Sequence, residues 1–341
     1  MEALIQQYPW LDELLMGFLG LSWKHVVMWG IGALLIWLAA AKDYEPALLL
    51  PIGFGAILAN IPHSSAVSQI KGEEGFLFVL YNAGISNELF PVLIFVAIGA
   101  MCDFAPLIRN PKVMLFAAAA QFGIFATAVA ATFLGFSFEH AASIGIIGAA
   151  DGPPTIYVAS RFAVELLGPL SVAADCYMTL VPVIQPPVIR AITTQAERQI
   201  KMGYENVEPV SQTTKFLFPI MIVLIAGMVA PISVALIGSL MFGNLLKESG
   251  VTENLSACAE NELANLVTLL LGITIGGTME AERFLNVQVL LIMCLGAVAF
   301  VFDTAGGVFF AKLMNLFSKE KINPMIGACG ISAFPMSGRV I

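Results

Sequence analysis

The stretch Gly145-Ile-Ile-Gly148-Ala-Ala-Asp151-Gly-Pro-Pro154-Thr-Ile-Tyr157 contains one carboxylate at a helix break with apolar sequence on both sides. Proline lacks an amide hydrogen and clashes with the preceding turn, so a helix cannot pass intact through Pro153-Pro154. At membrane depth, such irregular backbone persists only where protein or a water-filled cavity surrounds it. An acidic residue at a helix break is typical of a cation site in a transporter. The alternative is a loop in which Asp151 caps the following helix.

The composition is that of a membrane protein. The 341 residues are 58% hydrophobic and only 12% charged, whereas a soluble protein carries about 25% charged residues. The apolar runs predict about eight to eleven membrane segments of about 20 residues, some of them broken. The net charge is -8, and no basic patch with interleaved aromatic residues indicates nucleic acid as a partner. The five cysteines are scattered, and neither a CxxC pair nor a histidine cluster indicates a disulfide framework or a zinc site.

The predicted fold is an all-α polytopic membrane protein with two repeated halves and discontinuous transmembrane helices. We divide the chain into an interfacial helix (1–21), a first membrane half (22–190), a polar connecting loop (191–215) and a second membrane half (216–341). A half-helix and a second helix from Leu89 are expected within 76–102, unbroken spans at 113–134 and 216–241, and an interfacial piece at 242–258. The basic residues of the connecting loop weakly favour the cytoplasmic side, but its acidic residues and the other basic loops leave the topology open.

The repeat rests on similar motifs at matching places in the two halves. Residues 87–101 resemble 261–277, and residues 148–154 resemble 329–335, which aligns Asp151 with Ser332. Paired interrupted segments at matching places are the best sequence indication of a transporter binding site. Chance similarity between glycine-rich apolar segments is the alternative, and the sequence leaves open whether the repeats are inverted.

The two broken segments together offer oxygen ligands for a cation. Asp151 supplies a carboxylate, while Asn323, Ser332 and the carbonyl groups near Gly327 and Gly330 supply neutral oxygens. One carboxylate with several neutral oxygens suits a hard monovalent ion. The alternative for Asn323 and Ser332 is helix packing through small residues and interhelical hydrogen bonds.

Three further polar residues in apolar surroundings are candidates. Tyr177 could relay a proton or ligate a cation, or could belong to an aromatic belt at the membrane surface. Arg339 could neutralise a carboxylate, or could lie at the membrane edge. Asp303 lies in the middle of an apolar span, where a charge is costly, and the sequence names no partner for it.

Four motifs in order resemble one family, the β subunit of the biotin-dependent sodium-translocating decarboxylases, which includes the oxaloacetate, methylmalonyl-CoA and glutaconyl-CoA enzymes. The similarity covers nearly the whole chain, from Tyr44 to Arg339. The motifs are Gly148-Ala-Ala-Asp151-Gly-Pro, Val181-Pro-Val-Ile-Gln185-Pro-Pro187, Gly243-Asn-Leu-Leu-Lys-Glu248-Ser-Gly250 and Asn323-Pro-Met-Ile-Gly327 with Ser332-Ala-Phe-Pro335-Met and Arg339. The family continues past this arginine into a further membrane segment, so the resemblance implies that more sequence follows Ile341.

The resemblance implies a role for each candidate. Asp151 would be the central sodium and proton residue and Tyr177 a proton-linked phenol. Arg339 would be an essential basic group. Asn323, Gly327 and Ser332 would complete the sodium site.

The resemblance also implies an enzyme of the translocase class in the bacterial cytoplasmic membrane, a multi-pass subunit within a multi-subunit complex. It would decarboxylate carboxybiotin presented by a partner subunit, export sodium and consume a proton. The implied partners are a biotin carrier, a carboxyltransferase, a small single-span membrane subunit and further copies of the chain. The residues that contact carboxybiotin are not implied, and the acyl substrate is selected by the carboxyltransferase. A secondary sodium-coupled transporter of a small organic anion is the alternative, because composition and repeats fit both.

Overall fold

All regular secondary structure in the described residues is helical. The computed structural model describes residues 17–42, 46–67, 74–111, 113–149, 152–202, 209–317 and 321–331, and these residues contain no strand. The predicted interfacial helix at 1–21 lies largely outside them. The all-α fold class predicted from the sequence is confirmed.

Seventeen α-helices lie wholly within the described residues. In the first half they are α1 (Trp23–Lys42), α2 (Pro46–Ala59), α3 (Phe76–Leu80), α4 (Leu89–Met101), α5 (Ala105–Arg109), α6 (Val113–Ala120), α7 (Phe122–Phe133), α8 (Phe138–Gly145), α9 (Gly152–Phe162) and α10 (Leu167–Ile192). The remainder are α11 (Gln195–Arg198), α12 (Gln212–Val229), α13 (Val234–Glu248), α14 (Glu253–Cys258), α15 (Ala264–Gly277), α16 (Ala281–Phe284) and α17 (Val287–Phe317).

Several of these helices are long and apolar enough to cross a membrane. Five continuous helical stretches pass this test in the described residues, two of them joining neighbouring helices (α6 with α7, and α14 with α15), and the bent pair of α3 and α4 makes a sixth. The five are Trp23–Lys42, Met114–Phe133, Gln212–Val229, Glu253–Gly277 and Val287–Phe317. The count is below the predicted eight to eleven because breaks divide other apolar sequence into shorter helices, such as Pro46–Ala59. The protein is nevertheless multi-pass.

The first predicted break lies where the sequence places it. Helix α3 ends in a π-helical turn, Tyr81–Ile85, and α4 begins at Leu89 after a bend of 60°. Glu88 at the bend adopts a left-handed conformation with φ 64°, which is uncommon for a residue other than glycine. Later in the chain, α14 also leads through a π-helical turn, Ala259–Leu263, into α15, but there the helices form one continuous span, Glu253–Gly277. Helix α15 ends at Gly277, as predicted.

Close glycine contacts join helices from different halves. A Cβ atom at Gly99 of α4 would overlap the Leu240 carbonyl of α13, and one at Gly243 of α13 would overlap the Val96 carbonyl of α4. Gly55 of α2 and Gly276 of α15 form an equivalent contact. Small residues let helix backbones approach closely within membranes. Helices that lie far apart in the chain therefore pack backbone against backbone.

The predicted span 216–241 is wrong at its C-terminal end. Helix α12 stops at Val229, and Ala230 adopts φ -142° and ψ 79° before Pro231. The residue before a proline avoids the helical region, so the chain turns here and α13 runs from Val234 to Glu248. Gly243, within the piece expected to lie at the membrane surface, packs on α4, and the position of this piece relative to the membrane stays a prediction.

Candidate functional site

The helix break before Asp151 is formed by a short 3-10 segment. Helix α8 ends at Gly145, the backbone tightens into the first 3-10 segment (Ile146–Ala149), and α9 begins at Gly152. Pro153 and Pro154 occupy the start of α9, where a missing amide hydrogen breaks no intrahelical bond. The predicted break is confirmed, while Asp151 itself lies outside the described residues.

The predicted ligand Asn323 begins the second 3-10 segment (Pro324–Gly330). Its Oδ1 atom accepts a hydrogen bond from the Met325 amide at 3.0 Å, which caps the segment. Its Nδ2 atom donates to the carbonyl oxygens of Arg198 at 3.1 Å and Ile200 at 3.2 Å. Asn323 therefore fixes the segment to the loop after α10, and its amide oxygen keeps one lone pair for a further partner.

Gly327 lies in backbone contact with α17. A Cβ atom at Gly327 would overlap the Gly307 carbonyl, and a Cβ atom at Gly307 would overlap the Gly327 carbonyl. The next residue, Ala328, accepts a hydrogen bond from Gln185 Nε2 of α10 at 3.0 Å. The second 3-10 segment is thus held between α10 and α17.

Tyr177 is buried between the same two helices. It is 7% exposed, its hydroxyl donates to the Met293 carbonyl of α17, and its ring packs against Gly296. A tyrosine of an aromatic belt would place its hydroxyl in the headgroup layer. Tyr177 instead lies inside the bundle.

Asp303 is a buried carboxylate between α7 and the first 3-10 segment. It is 1% exposed, and neither carboxylate oxygen has a hydrogen-bond partner among the described residues. Its carboxylate lies against Gly123 of α7 and Gly148 of the first 3-10 segment, and a Cβ atom at either glycine would overlap it. The amides of Gly123 and Ile124 lie on the α7 side without reaching hydrogen-bonding geometry. They belong to the first turn of α7, where the helix dipole favours negative charge.

Helix α17 connects the described candidates. It contacts Tyr177 at Gly296, the first 3-10 segment through Asp303 and the second through Gly307. Asp303 and Gly307 lie one helical turn apart. The described parts of both broken elements therefore pack on neighbouring turns of one helix. Asp151, Ser332 and Arg339 lie outside the described residues, so their positions in the site stay predictions.

Sequence reasoning assigned no role to Gln185, although it lies in a motif that carries the family resemblance. Gln185 is fully buried, and its Oε1 atom has no hydrogen-bond partner in the described part of the chain. The only sequence signal was an amide side chain among prolines in an apolar helix. Its proximity to Ala328 depends on the packing of α10 against the second 3-10 segment.

A protein-family model described as "Na+-transporting oxaloacetate decarboxylase beta subunit" matches residues 24–341. This match takes in both 3-10 segments, α10 and α17. The chain belongs to this family. The resemblance drawn from the four sequence motifs is thereby confirmed.

Curated relatives of this β-subunit family align over most of their own length. The chain is 49% identical to methylmalonyl-CoA decarboxylase subunit beta of Veillonella parvula, covering 95% of this chain and 84% of the relative. It is 47% identical to glutaconyl-CoA decarboxylase subunit beta of Acidaminococcus fermentans, with the same two coverages. It is 41% identical to oxaloacetate decarboxylase beta chain of Klebsiella pneumoniae, covering 95% of this chain and 88% of the relative. The relatives act on three different substrates, so the family alone selects none of them.

Proposed function

We propose that this β subunit decarboxylates carboxybiotin and couples that reaction to sodium export with consumption of a proton. Family membership supports the chemistry. The coupling of decarboxylation to sodium export is supported by the packing of both 3-10 segments on neighbouring turns of α17. A change at one segment can reach the other through a single rigid helix.

In this proposal, sodium is held by Asp151, Asn323, Gly327 and Ser332. Two of these residues, Asn323 and Gly327, belong to one 3-10 segment and its cap, which presents backbone carbonyl groups that no α-helical ladder occupies. Asp151 follows the first 3-10 segment by two residues. A hard cation prefers such oxygens, and the single carboxylate supplies the compensating charge.

Decarboxylation of carboxybiotin consumes a proton, and this site would supply it. The bond between the carboxyl carbon and the ureido nitrogen breaks, carbon dioxide leaves, and the nitrogen takes up a proton to regenerate biotin. Sodium binding at Asp151 would displace the proton of that carboxyl group, and the displaced proton would pass to the biotin nitrogen. Tyr177 would be the proton-linked phenol, and Arg339 would hold a carboxylate. Asp151 thus carries sodium or a proton, which couples the two processes.

The helix directions support inverted repeats as the basis of transport. Helix α7 and helix α17 occupy matching places in the proposed repeat. They run antiparallel, because Phe122 faces Gly306 while Gly123 faces Ala299 and Asp303. Inverted halves can rock about a site at their interface and open it to each side in turn.

We place the subunit in the bacterial cytoplasmic membrane with the ends of α10 and α17 facing the cytoplasm. Basic residues near this end include Arg190, Arg198, Lys201, Lys312 and Lys321. Lysine and arginine accumulate on the cytoplasmic side of membrane proteins. The biotin carrier and the carboxyltransferase would approach from this side. A small single-span subunit and further copies of the chain would pack in the lipid bilayer.

The decisive experiment reconstitutes the complex into proteoliposomes and measures uptake of radioactive sodium together with decay of carboxybiotin. We expect decarboxylation to require sodium and sodium uptake to require carboxybiotin. Sodium uptake driven by a small organic anion without decarboxylation would contradict the proposal and favour a secondary transporter.

A further inference from the structure

A cavity lies where α10 ends beside the second 3-10 segment. Its volume is about 210 Å³. The residues that line it are Pro186, Ile189, Arg190, Arg198 and Met325. Two arginines therefore face a cavity that is otherwise lined by hydrophobic residues and proline.

Hydrogen bonds hold both the side chain and the backbone of Arg198. Its Nη1 atom donates to the Thr193 carbonyl at 2.6 Å and to Thr193 Oγ1 at 3.1 Å. Thr194 and Glu197 form a reciprocal capping box at the start of α11. The Arg198 carbonyl in turn accepts a hydrogen bond from Asn323 at 3.1 Å. Arg198 is thus held in place before any ligand arrives, which lowers the entropy cost of binding.

The positive charge in the cavity has no described acidic partner. The ion pairs of the described residues include neither Arg190 nor Arg198. The nearest acid in sequence, Glu197, pairs with Lys312 at 3.0 Å and accepts the Thr194 amide at 2.7 Å. These two contacts, the hydrogen bond from Thr194 foremost, lower the pKa of the Glu197 carboxyl. Glu197 is committed elsewhere, and the two guanidinium groups suit an anion.

The uncharged lining determines which anion fits. Ile189 is 3% exposed, and Pro186 and Met325 are half-buried beside it. These side chains suit a compact ring system, while the guanidinium groups suit one carboxylate attached to it. Ligand pockets are typically about 300–1,000 Å³, so this smaller cavity suits a head group whose tether remains outside.

We propose that Arg190 and Arg198 bind the carboxylate of carboxybiotin, with its fused rings over Ile189, Pro186 and Met325. This inference rests on the proposed function and names the substrate contacts that it leaves open. Met325 lies between Asn323 and Gly327 in the chain, so a ring bound on Met325 would contact the segment that contributes to the proposed sodium site. Binding of the substrate would thereby change the sodium affinity of the site without a separate coupling element.

The test measures KM and kcat for free carboxybiotin in the sodium-loaded, reconstituted complex. The variants are Arg190→Gln, Arg190→Lys and Arg198→Gln, with Lys201→Gln, three residues after the end of α11 and outside the cavity lining, as a control. Losing one charge-assisted hydrogen bond to a carboxylate corresponds to a rise in KM of about tenfold to a hundredfold. We expect that rise for both glutamine variants, a smaller one for Arg190→Lys, and none for Lys201→Gln.

Arg190→Gln is the decisive variant, because no hydrogen bond of Arg190 to the described part of the fold is lost with it. At saturating carboxybiotin, the sodium concentration for half-maximal activation should stay unchanged in all variants, because the ion ligands themselves are intact. An unchanged KM in Arg190→Gln, or a lost kcat at constant KM, would overturn the inference. A KM defect that anionic lipid vesicles abolish would assign the arginines to a lipid phosphate instead. Failure of the unmodified complex to decarboxylate carboxybiotin would refute the proposed function itself.

Discussion

Gly148 and Asp303 are in direct contact, with the Asp303 carboxylate against the backbone of the first 3-10 segment. A methyl group at residue 148 would overlap Oδ2. A carboxylate of the second half thus lies against the broken element of the first, three residues before Asp151. Because of this contact, Asp303 is the second residue to substitute after Asp151.

We expect Asp303→Asn to fold and to raise the melting temperature of the purified complex. The amide has the shape of the carboxyl group but cannot ionise, at a site that offers a carboxylate no hydrogen-bond partner among the described residues and where a buried charge is costly. A gain of about 1–2 kcal/mol corresponds to a few degrees in a protein of this size. Scanning calorimetry should show no comparable gain for Asp103→Asn, an exposed-loop control. A lower melting temperature would show that Asp303 makes a stabilising contact.

We expect Gly327→Ala to impair both stability and sodium activation. The new methyl group would overlap the Gly307 carbonyl, and overpacking of this kind costs about 1–3 kcal/mol. The displaced segment carries the proposed ligands, so the sodium concentration for half-maximal decarboxylation should rise. Gly30→Ala is the control, because nothing lies within 4 Å of its new Cβ atom. Equal behaviour of the two variants would refute the close packing of the segment on α17.

Asn323→Asp separates the two roles of Asn323. The carboxylate keeps an oxygen that can cap Met325, but it loses the Nδ2 donor to Arg198 and Ile200. We expect a loss of about 1–3 kcal/mol in stability from the two carbonyl groups left without this donor. Limited proteolysis of the loop after α10 should be faster in the variant. Asn323→Ala should lose the cap as well, adding about 1 kcal/mol. Identical proteolysis in all three proteins would contradict the tethering role.

We expect Asp151→Asn to abolish sodium transport and sodium-stimulated decarboxylation together, because one carboxylate serves both. Sodium and a proton compete for the ionised group, so the apparent sodium affinity of the parent should rise with pH until ionisation is complete. The measurement pairs sodium uptake with carboxybiotin decay across pH in parent and variant. A variant that still decarboxylates with normal sodium activation would assign the coupling to another group, with Asp303 the first to test.

Local chemistry made several features predictable. The breaks before Asp151 and at Glu88, and the end of α15 at Gly277, follow from proline and glycine, which act on the nearest turn of backbone. Two interruptions were missed. Pro231 was passed over inside an apolar run, and the interruption at Gln121 between α6 and α7 carries neither proline nor glycine.

The sequence by itself determined the membrane class, the family and the positions of the main breaks, because hydrophobicity and proline chemistry act within a few residues. The tertiary structure alone decided that Tyr177 meets Met293, that Asp303 lies between Gly123 and Gly148, and that Gly327 packs on Gly307. Each contact joins residues far apart in the chain. Their proximity depends on how distant helices pack together, and no local preference encodes that arrangement.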